Sequence, residues 1–131
     1  LNHDGTLLGQ GRGSVSPSGT ASISTSGVYH RDRVSNGDGI FIKIDTDYYA
    51  RYYDAAGRGP YYGNFYNVER VRTPASTSSA WVSRAGVTKS VVSSSFQTFW
   101  GTSHNVDVRV CEDRGILRAD PCDTKTFTFQ R

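Results

Sequence analysis

Apolar and polar residues alternate with a period of two along much of the chain, which predicts β-strands. In the clearest strand Ile40, Ile42 and Ile44 fall on one face, and residues 41, 43 and 45 fall on the other. The Asn36-Gly37 pair just before it favours a turn, because both residue types tolerate a positive φ. The pattern therefore predicts a turn followed by a half-buried strand that begins at Ile40.

Further strands are predicted along the rest of the chain. Residues 48–53 and 61–72 are rich in aromatic and β-branched side chains, and residues 54–60 between them contain Gly57, Gly59 and Pro60. We expect two antiparallel strands joined by a loop there, and more strands over residues 80–83, 87–92, 96–100, 106–111 and 126–130. No window of eleven residues shows an amphipathic helical stripe. The fold class predicted is all-β, a single-domain antiparallel β-sandwich, with a small β-barrel as the alternative.

Residues 9–27 differ from the rest of the chain in composition. Gly, Ser and Thr dominate this stretch, and Val15 and Ile23 are its only large apolar residues. Such a stretch does not nucleate a core by itself. We expect an N-terminal arm or edge strand over residues 1–27 and the β-sandwich domain over residues 28–131, with the arm available to pair with another sheet edge.

Length and charge exclude several classes of protein. The 131 residues, of which 36% are hydrophobic and 21% charged, suit one folded domain. No stretch approaches the roughly 20 apolar residues of a membrane span. The net charge of +3 is spread along the chain, so the sequence does not indicate a nucleic-acid partner. Met is absent and the chain starts at Leu1, which predicts trimming from a precursor with a targeting segment.

The two cysteines, Cys111 and Cys122, enclose ten residues near the C-terminus. Without a second Cys pair or a nearby His they do not make a four-ligand zinc site. A disulfide is the favoured interpretation, with two free buried thiols in a cytosolic protein as the alternative. Because disulfides persist in oxidising compartments, we expect a secreted, extracellular protein.

No group of residues identifies a reaction. The histidines are His3, His30 and His104, and an acid-base group built from His30 or His104 with Glu69 or Glu112 and an Arg is conceivable. We interpret the histidines as solvated side chains. We therefore predict no catalytic residue, no cofactor and no enzymatic activity.

Two other segments superficially suggest ligand sites. Asn36 with Asp38, and Asp45 with Asp47, offer oxygen ligands for calcium, but aspartates at strand ends are more often turn formers. The glycine-rich residues 9–13 superficially look like a phosphate loop, but no helical pattern follows them, which favours a flexible arm. We predict no metal site.

Aromatic clustering is the most unusual feature of the sequence. Seven of the eight tyrosines lie within residues 48–66, together with Arg51 and Arg58. They are Tyr48, Tyr49, Tyr52, Tyr53, Tyr61, Tyr62 and Tyr66. Because adjacent strand residues point to opposite faces, each Tyr-Tyr pair should place one ring inward and one outward. Outward rings beside Arg suit a binding surface, and inward rings stabilise a sheet; the two roles are compatible.

The loop between the cysteines is a second candidate binding site. Its residues 112–121 include Ile116, Leu117 and Arg118. A loop closed by a disulfide is preorganised, which suits a protease inhibitor that offers Arg118 to an acidic specificity pocket. The simpler interpretation, which we favour, is a stapled hairpin with a solvated tip.

The chain is rich in Arg, poor in Lys and without Met, and it contains a Val106-x-Val108-x-Val110-Cys111 strand, Asp120-Pro121-Cys122 and an aromatic last strand. In these features the C-terminal quarter resembles small secreted proteins of Streptomyces-type actinobacteria. Those proteins include β-sandwiches of unknown role, extracellular protease inhibitors and adaptor subunits of secreted toxin particles. The resemblance implies export and a non-enzymatic role in binding a partner, and it carries over no catalytic residue. The inhibitors usually have two Cys pairs, whereas this chain has one.

Together these features predict a secreted, non-catalytic module that binds another extracellular protein or copies of itself. A carbohydrate-binding module, with sugar rings stacked on Tyr and on Trp81 or Trp100, is the alternative. A protease inhibitor that acts through the Cys111–Cys122 loop is a further alternative.

Overall fold

The computed structural model describes residues 1–17, 22–90, 96–116 and 118–130. Within these ranges the chain forms strands and turns and no helix, so the prediction of an all-β fold is confirmed. The strands are β1 (Asn2–His3), β2 (Thr6–Leu7), β3 (Gly9–Pro17), β4 (Ser22–Asp32), β5 (Gly39–Asp54), β6 (Tyr61–Arg72), β7 (Val82–Arg84), β8 (Thr88–Ser90), β9 (Phe96–Asp113) and β10 (Cys122–Gln130). The described part of the chain contains no helix of the length and apolarity that crossing a membrane requires.

The first sheet has four antiparallel strands in the order β10-β9-β5-β6. Its two central strands are long, and they pair from Gly39 opposite Asp113 at one end to Asp54 opposite Phe96 at the other. The hairpin predicted from residues 48–72 is confirmed, since Tyr52 of β5 pairs with Tyr61 of β6. This sheet extends well beyond the core and carries the tyrosine-rich segment at its far end.

The second sheet, in the order β3-β4-β7 with β8 also paired to β4, packs face to face on the first. Ile23 and Val28 of β4 contact Ile42 and Ile44 of β5 and Val106 of β9, and all five side chains are buried. Each such burial contributes roughly 1.5–3 kcal/mol to folding. The alternation at residues 40, 42 and 44 thus identified the core face of β5.

A groove of about 560 Å³ separates the edge strands β3 and β10. Val15 and Gly11 of β3 line one wall, Phe127 of β10 lines the other, and Ile42 and Val110 are among the residues of its floor. Because these two edges do not join, the structure is a sandwich and not a closed barrel.

The glycine-rich residues 9–13 belong to an edge strand and not to a flexible arm. A Cβ atom on Gly9 would lie 2.4 Å from Ile40 Cγ1, and one on Gly11 would lie 2.9 Å from Val110 Cγ2. Glycine at these alternate positions therefore lets β3 approach the first sheet closely. The boundary predicted at residue 27 falls inside β4, whose Ile23 is fully buried.

The predicted break between residues 100 and 106 is wrong. β9 continues through this stretch, because Gly101 and Ser103 remain paired with Ala50 and Tyr49 of β5. The register shifts between Tyr49 and Ala50, so a bulge absorbs the extra residue of β9 and the ladder resumes. The predicted strands at 80–83 and 87–92 correspond to β7 and β8, and residues 91–92 lie outside the described residues.

A disulfide joins Cys111 and Cys122, as predicted, and these residues are direct partners across β9 and β10. Their Cα atoms are 4.2 Å apart. The bond therefore ties the late part of β9 to the first residue of β10 and closes the loop between them.

Candidate functional site

The far end of the first sheet carries aromatic side chains on both faces. On the face that continues the core, rings of β5, β6 and β9 form an inner aromatic cluster of Tyr48, Tyr52, Tyr61, Phe65, Phe96 and Phe99. Their ring centroids lie 5.1–5.7 Å apart, several in edge-to-face contact. Such contacts stabilise aromatic pairs beyond simple burial. Part of the tyrosine cluster therefore stabilises the sheet.

The opposite face of the same strands forms a separate aromatic surface, which we call the Tyr face. Arg51 of β5 is paired with Tyr62 on β6 and with Trp100 on β9. Directly opposed residues share a face, and so do residues two apart on a strand. The Tyr face therefore comprises Tyr49, Arg51, Tyr53, Tyr62, Tyr66 and Trp100.

Four rings of the Tyr face are largely open to solvent. The exposed fractions are 71% for Tyr66, 60% for Tyr62, 45% for Trp100 and 44% for Tyr49. With roughly 200–250 Å² per ring, the exposed aromatic area is on the order of 500 Å². The largest apolar patch of a monomeric protein is typically about 300–600 Å² and is often functional, so this surface is a candidate interaction site.

Arg51 is placed among these rings. Its guanidinium carbon lies 5.1 Å from the ring centroid of Trp100, a cation–π distance. This contact positions the guanidinium group beside the indole, and a guanidinium group has five N–H donors for a ligand. The face thus combines large flat rings with an oriented cationic donor.

A charged network adjoins the Tyr face on the same side of the sheet. Arg109 Nη1 donates to Asp45 Oδ2 at 2.7 Å, and the Lys43 Nζ and Arg70 Nε nitrogens lie 3.9 and 3.8 Å from the same carboxylate. Arg109 Nη2 also lies 3.3 Å from Asp107 Oδ2, so this network pairs three cations with two carboxylates.

The tyrosine pairs follow the predicted alternation only in part. Tyr48 is 2% exposed and its neighbour Tyr49 is 44% exposed, as alternation predicts. Tyr61 and Tyr62 lie on opposite faces, yet Tyr61 is still 43% exposed because it sits at the end of the hairpin, beyond the core. Tyr52 and Tyr53 are both half-buried, with Tyr53 beside the loop at Gly59.

Arg58 and Arg118 do not join the Tyr face. Arg58 lies in the hairpin loop, where its Nε donates to Asp54 Oδ2 at 3.1 Å. The backbone N–H of Arg58 also donates to this carboxylate and lowers the pKa of Asp54 below its ordinary value. Arg118 lies beyond β9's Asp113, at the opposite end of the first sheet from Trp100.

The disulfide-closed loop presents its tip to solvent. Ile116 is fully exposed, Arg118 is exposed, and Leu117 lies outside the described residues. Asp120 Oδ1 accepts a hydrogen bond from the backbone N–H of Arg114 at 2.8 Å, which anchors the base of the loop. The inhibitory role of Arg118 stays a prediction.

The interpretation of the histidines as solvated is wrong for two of them. His30 is 0% exposed and His104 is 1% exposed. Arg84 Nε donates to His30 Nε2 at 3.0 Å, and because a guanidinium only donates, this nitrogen carries a lone pair. Burial lowers the pKa of His30 and the Arg84 charge lowers it further, so the ring is neutral. No described carboxylate contacts His30, so the acid-base group is not assembled there.

The calcium candidates are engaged in other contacts. Asn36 Oδ1 accepts from the backbone N–H of Asp38 at 3.0 Å, which is the geometry of a turn. Asp45 is ion-paired with Lys43, Arg70 and Arg109. Within the described ranges no three His, Cys, Asp or Glu side chains are grouped to hold a metal ion.

Trp100 is the site residue that the tyrosine pattern alone did not identify. It lies outside the cluster at residues 48–66 and reaches the Tyr face only because β9 pairs with β5. The sequence placed it in a predicted strand at residues 96–100 and named it only for the carbohydrate-binding alternative.

The comparisons with known proteins found no similar protein. No family model, no curated protein and no solved structure matches the chain. The resemblance to small secreted actinobacterial proteins therefore stays a prediction.

Proposed function

We propose that the chain is a non-catalytic binding module that contacts a partner protein through the Tyr face. One observation carries this proposal: four aromatic side chains of Tyr and Trp are 44–71% exposed on one face of the sheet around Arg51. Tyr, Trp and Arg are the residue types enriched where protein interfaces gain most of their energy.

The size of the face supports a protein partner. A standard interface buries about 800 Å² on each side, and the exposed rings supply on the order of 500 Å² of this. The ion-pair network around Asp45 and Asp107 continues the surface, so a partner with charged groups of both signs at its rim fits best. A second copy of the chain is included among the candidate partners.

The proposed mode of contact differs from pairing through an N-terminal arm. Residues 9–17 are already paired with β4 in their own chain, and Gly9 and Gly11 hold them against the first sheet. Side chains of the Tyr face, and not an inserted arm, are therefore the proposed contact.

The proposed location is extracellular. The Cys111–Cys122 disulfide supports this, because such bonds persist in oxidising compartments. Reducing conditions are expected to weaken the fold and with it the binding surface.

A capture experiment tests the proposal. The wild type, a Tyr62→Ser/Tyr66→Ser variant and a Tyr61→Ser variant are immobilised and exposed to extracellular fluid of the source organism. Tyr61 is the matched control, since it is adjacent in sequence and 43% exposed but belongs to the inner aromatic cluster. Retained proteins are identified by mass spectrometry, and self-association of each variant is measured by sedimentation.

We expect a stoichiometric partner, or self-association, that the wild type and Tyr61→Ser share and that Tyr62→Ser/Tyr66→Ser loses. Retention by all three variants alike would contradict a role for the Tyr face. A quench of Trp fluorescence by neutral polysaccharides, with no protein retained, would favour the carbohydrate-binding alternative instead.

A further inference from the structure

The outer face of the second sheet carries a second, chemically different cluster, which we call the Arg–Trp face. It consists of Gln10 and Arg12 on β3, Tyr29 and Arg31 on β4, and Trp81 just before β7. Register places Gln10 opposite Arg31 and Arg12 opposite Tyr29. These side chains therefore lie together on the side of the sheet that faces away from the core.

Two arginines of this face stack on one indole. The Arg12 Cζ atom lies 4.8 Å and the Arg31 Cζ atom 4.4 Å from the ring centroid of Trp81. Arg12 also lies 4.6 Å from the Tyr29 ring, and Arg31 Nε donates to Gln10 Oε1 at 2.7 Å. Both guanidinium groups thus lie over aromatic rings within a small area.

Neither charge is neutralised by the described residues. Arg12 and Arg31 make no ion pair there, whereas on the first sheet Arg109 and Arg70 contact Asp45. The four strands of the second sheet contain one acidic residue, Asp32, which is 4% exposed and bonded to its own loop. Two like charges held close together without a carboxylate favour an anionic ligand between or above them.

Further along β3 and β4 the same face carries a row of serine hydroxyl groups, which we call the serine lane. Ser14 and Ser16 of β3 pair with Ser26 and Ser24 of β4, while Thr25 between them is buried. From Gln10 to Ser16 the lane is about 20 Å long at the rise of a β-strand. It offers hydroxyl donors and acceptors beside two cations and little apolar area, because guanidinium groups already lie over the Trp81 and Tyr29 rings.

We propose that the Arg–Trp face binds an acidic polysaccharide, a linear sugar polymer that carries sulfate or carboxylate groups. The stacked guanidinium groups supply oriented N–H donors for the acidic groups, and the serine lane meets the sugar hydroxyls. This site is independent of the Tyr face, which belongs to the other sheet. The protein would thereby join a partner protein on one face to an anionic glycan on the other.

Calorimetric titration of the full chain tests this proposal. The probes are heparin for sulfate and polygalacturonate for carboxylate, with dextran as the neutral polymer and polyglutamate as an acidic polypeptide. The variants are Arg12→Gln/Arg31→Gln and the matched control Arg58→Gln/Arg118→Gln, which removes the same charge from two exposed loop positions. Circular dichroism of each variant checks that the fold is retained.

We expect heparin or polygalacturonate to bind the wild type, dextran not to bind, and Arg12→Gln/Arg31→Gln to lose about tenfold or more in affinity at low salt. The control variant should lose less than about threefold. Arg12→Lys/Arg31→Lys should bind more weakly than the wild type, because Lys keeps the charge and loses the planar donor set.

Several results would overturn the proposal. One is equal weakening by the control variant, which would show attraction to net charge alone. Another is polyglutamate binding as tightly as the polysaccharides, which would point to an acidic protein surface. A third is a wild type that binds neither acidic polysaccharide.

Discussion

Replacing Gly9 by Ala tests whether the N-terminal strand is packed on the core or is a loose arm. The added Cβ would lie 2.4 Å from Ile40 Cγ1 and 2.5 Å from Ile40 Cδ1, with Arg31 O at 3.1 Å. Ile40 is fully buried, so its side chain has little room to move. The substitution therefore forces either Ile40 or the β3 backbone away from its position.

The expected change in the free energy of unfolding of Gly9→Ala is the difference between two opposing effects. Overpacking a core destabilises the fold by about 1–3 kcal/mol. Replacing Gly by Ala stabilises it by roughly 0.4–1 kcal/mol, because Ala has less backbone freedom in the unfolded chain. We expect a net loss of about 1–2 kcal/mol in the free energy of unfolding. For a domain of this size, that loss lowers the Tm by about 4–8 °C.

Gly63→Ala is the matched control for this experiment. Gly63 also lies in a strand, but a Cβ there would meet its nearest atom, Phe65 Cε2, only at 3.8 Å, an ordinary contact. Urea unfolding followed by Trp fluorescence measures both variants. If Gly9→Ala were as stable as Gly63→Ala, residues 9–17 would not be packed as described, and the account of this sheet would fail.

Two further predictions concern stability. Cys111→Ser/Cys122→Ser should lower the free energy of unfolding by about 3 kcal/mol, because without the disulfide the loop gains conformational entropy in the unfolded chain. An unchanged Tm in thermal denaturation would contradict this. Burial lowers the pKa of His30 in the folded state, and the Arg84 charge lowers it further. Below pH about 6.5 the His30 side chain therefore binds a proton in the unfolded chain but stays unprotonated in the folded chain. Stability should therefore be full above that pH and fall as the pH drops towards the folded-state pKa. A His30→Gln variant should show a smaller fall over pH 7 to 5, and an equal fall would refute the assignment.

Much of the first sheet could be predicted from local sequence. The alternation at Ile40, Ile42 and Ile44 marks the core face, and the paired tyrosines place rings on both faces of β5. The disulfide followed from counting and spacing the two cysteines. These features are local, because strand periodicity and turn residues suffice to specify them.

Other features depend on distant residues and gave no local signal. Glycines at 9 and 11 resemble a flexible segment, and only the approach of Ile40 and Val110 shows that they are needed for packing. His30 gave no sign of burial in its own segment, because its partner Arg84 comes from β7. The contact of Arg12 and Arg31 with Trp81 likewise required the register of the second sheet.

The proposed binding of a partner protein through the Tyr face is tested by the dissociation constant of the captured partner, or of self-association, for Tyr62→Ser beside Tyr61→Ser. The two tyrosines are adjacent, with exposed fractions of 43% for Tyr61 and 60% for Tyr62, but they occupy opposite faces of β6. We expect Tyr62→Ser to weaken binding by about tenfold or more, as for an aromatic residue central to an interface, and Tyr61→Ser to change it by less than about twofold. Equal weakening by both, or loss on Tyr61→Ser alone, would contradict the account.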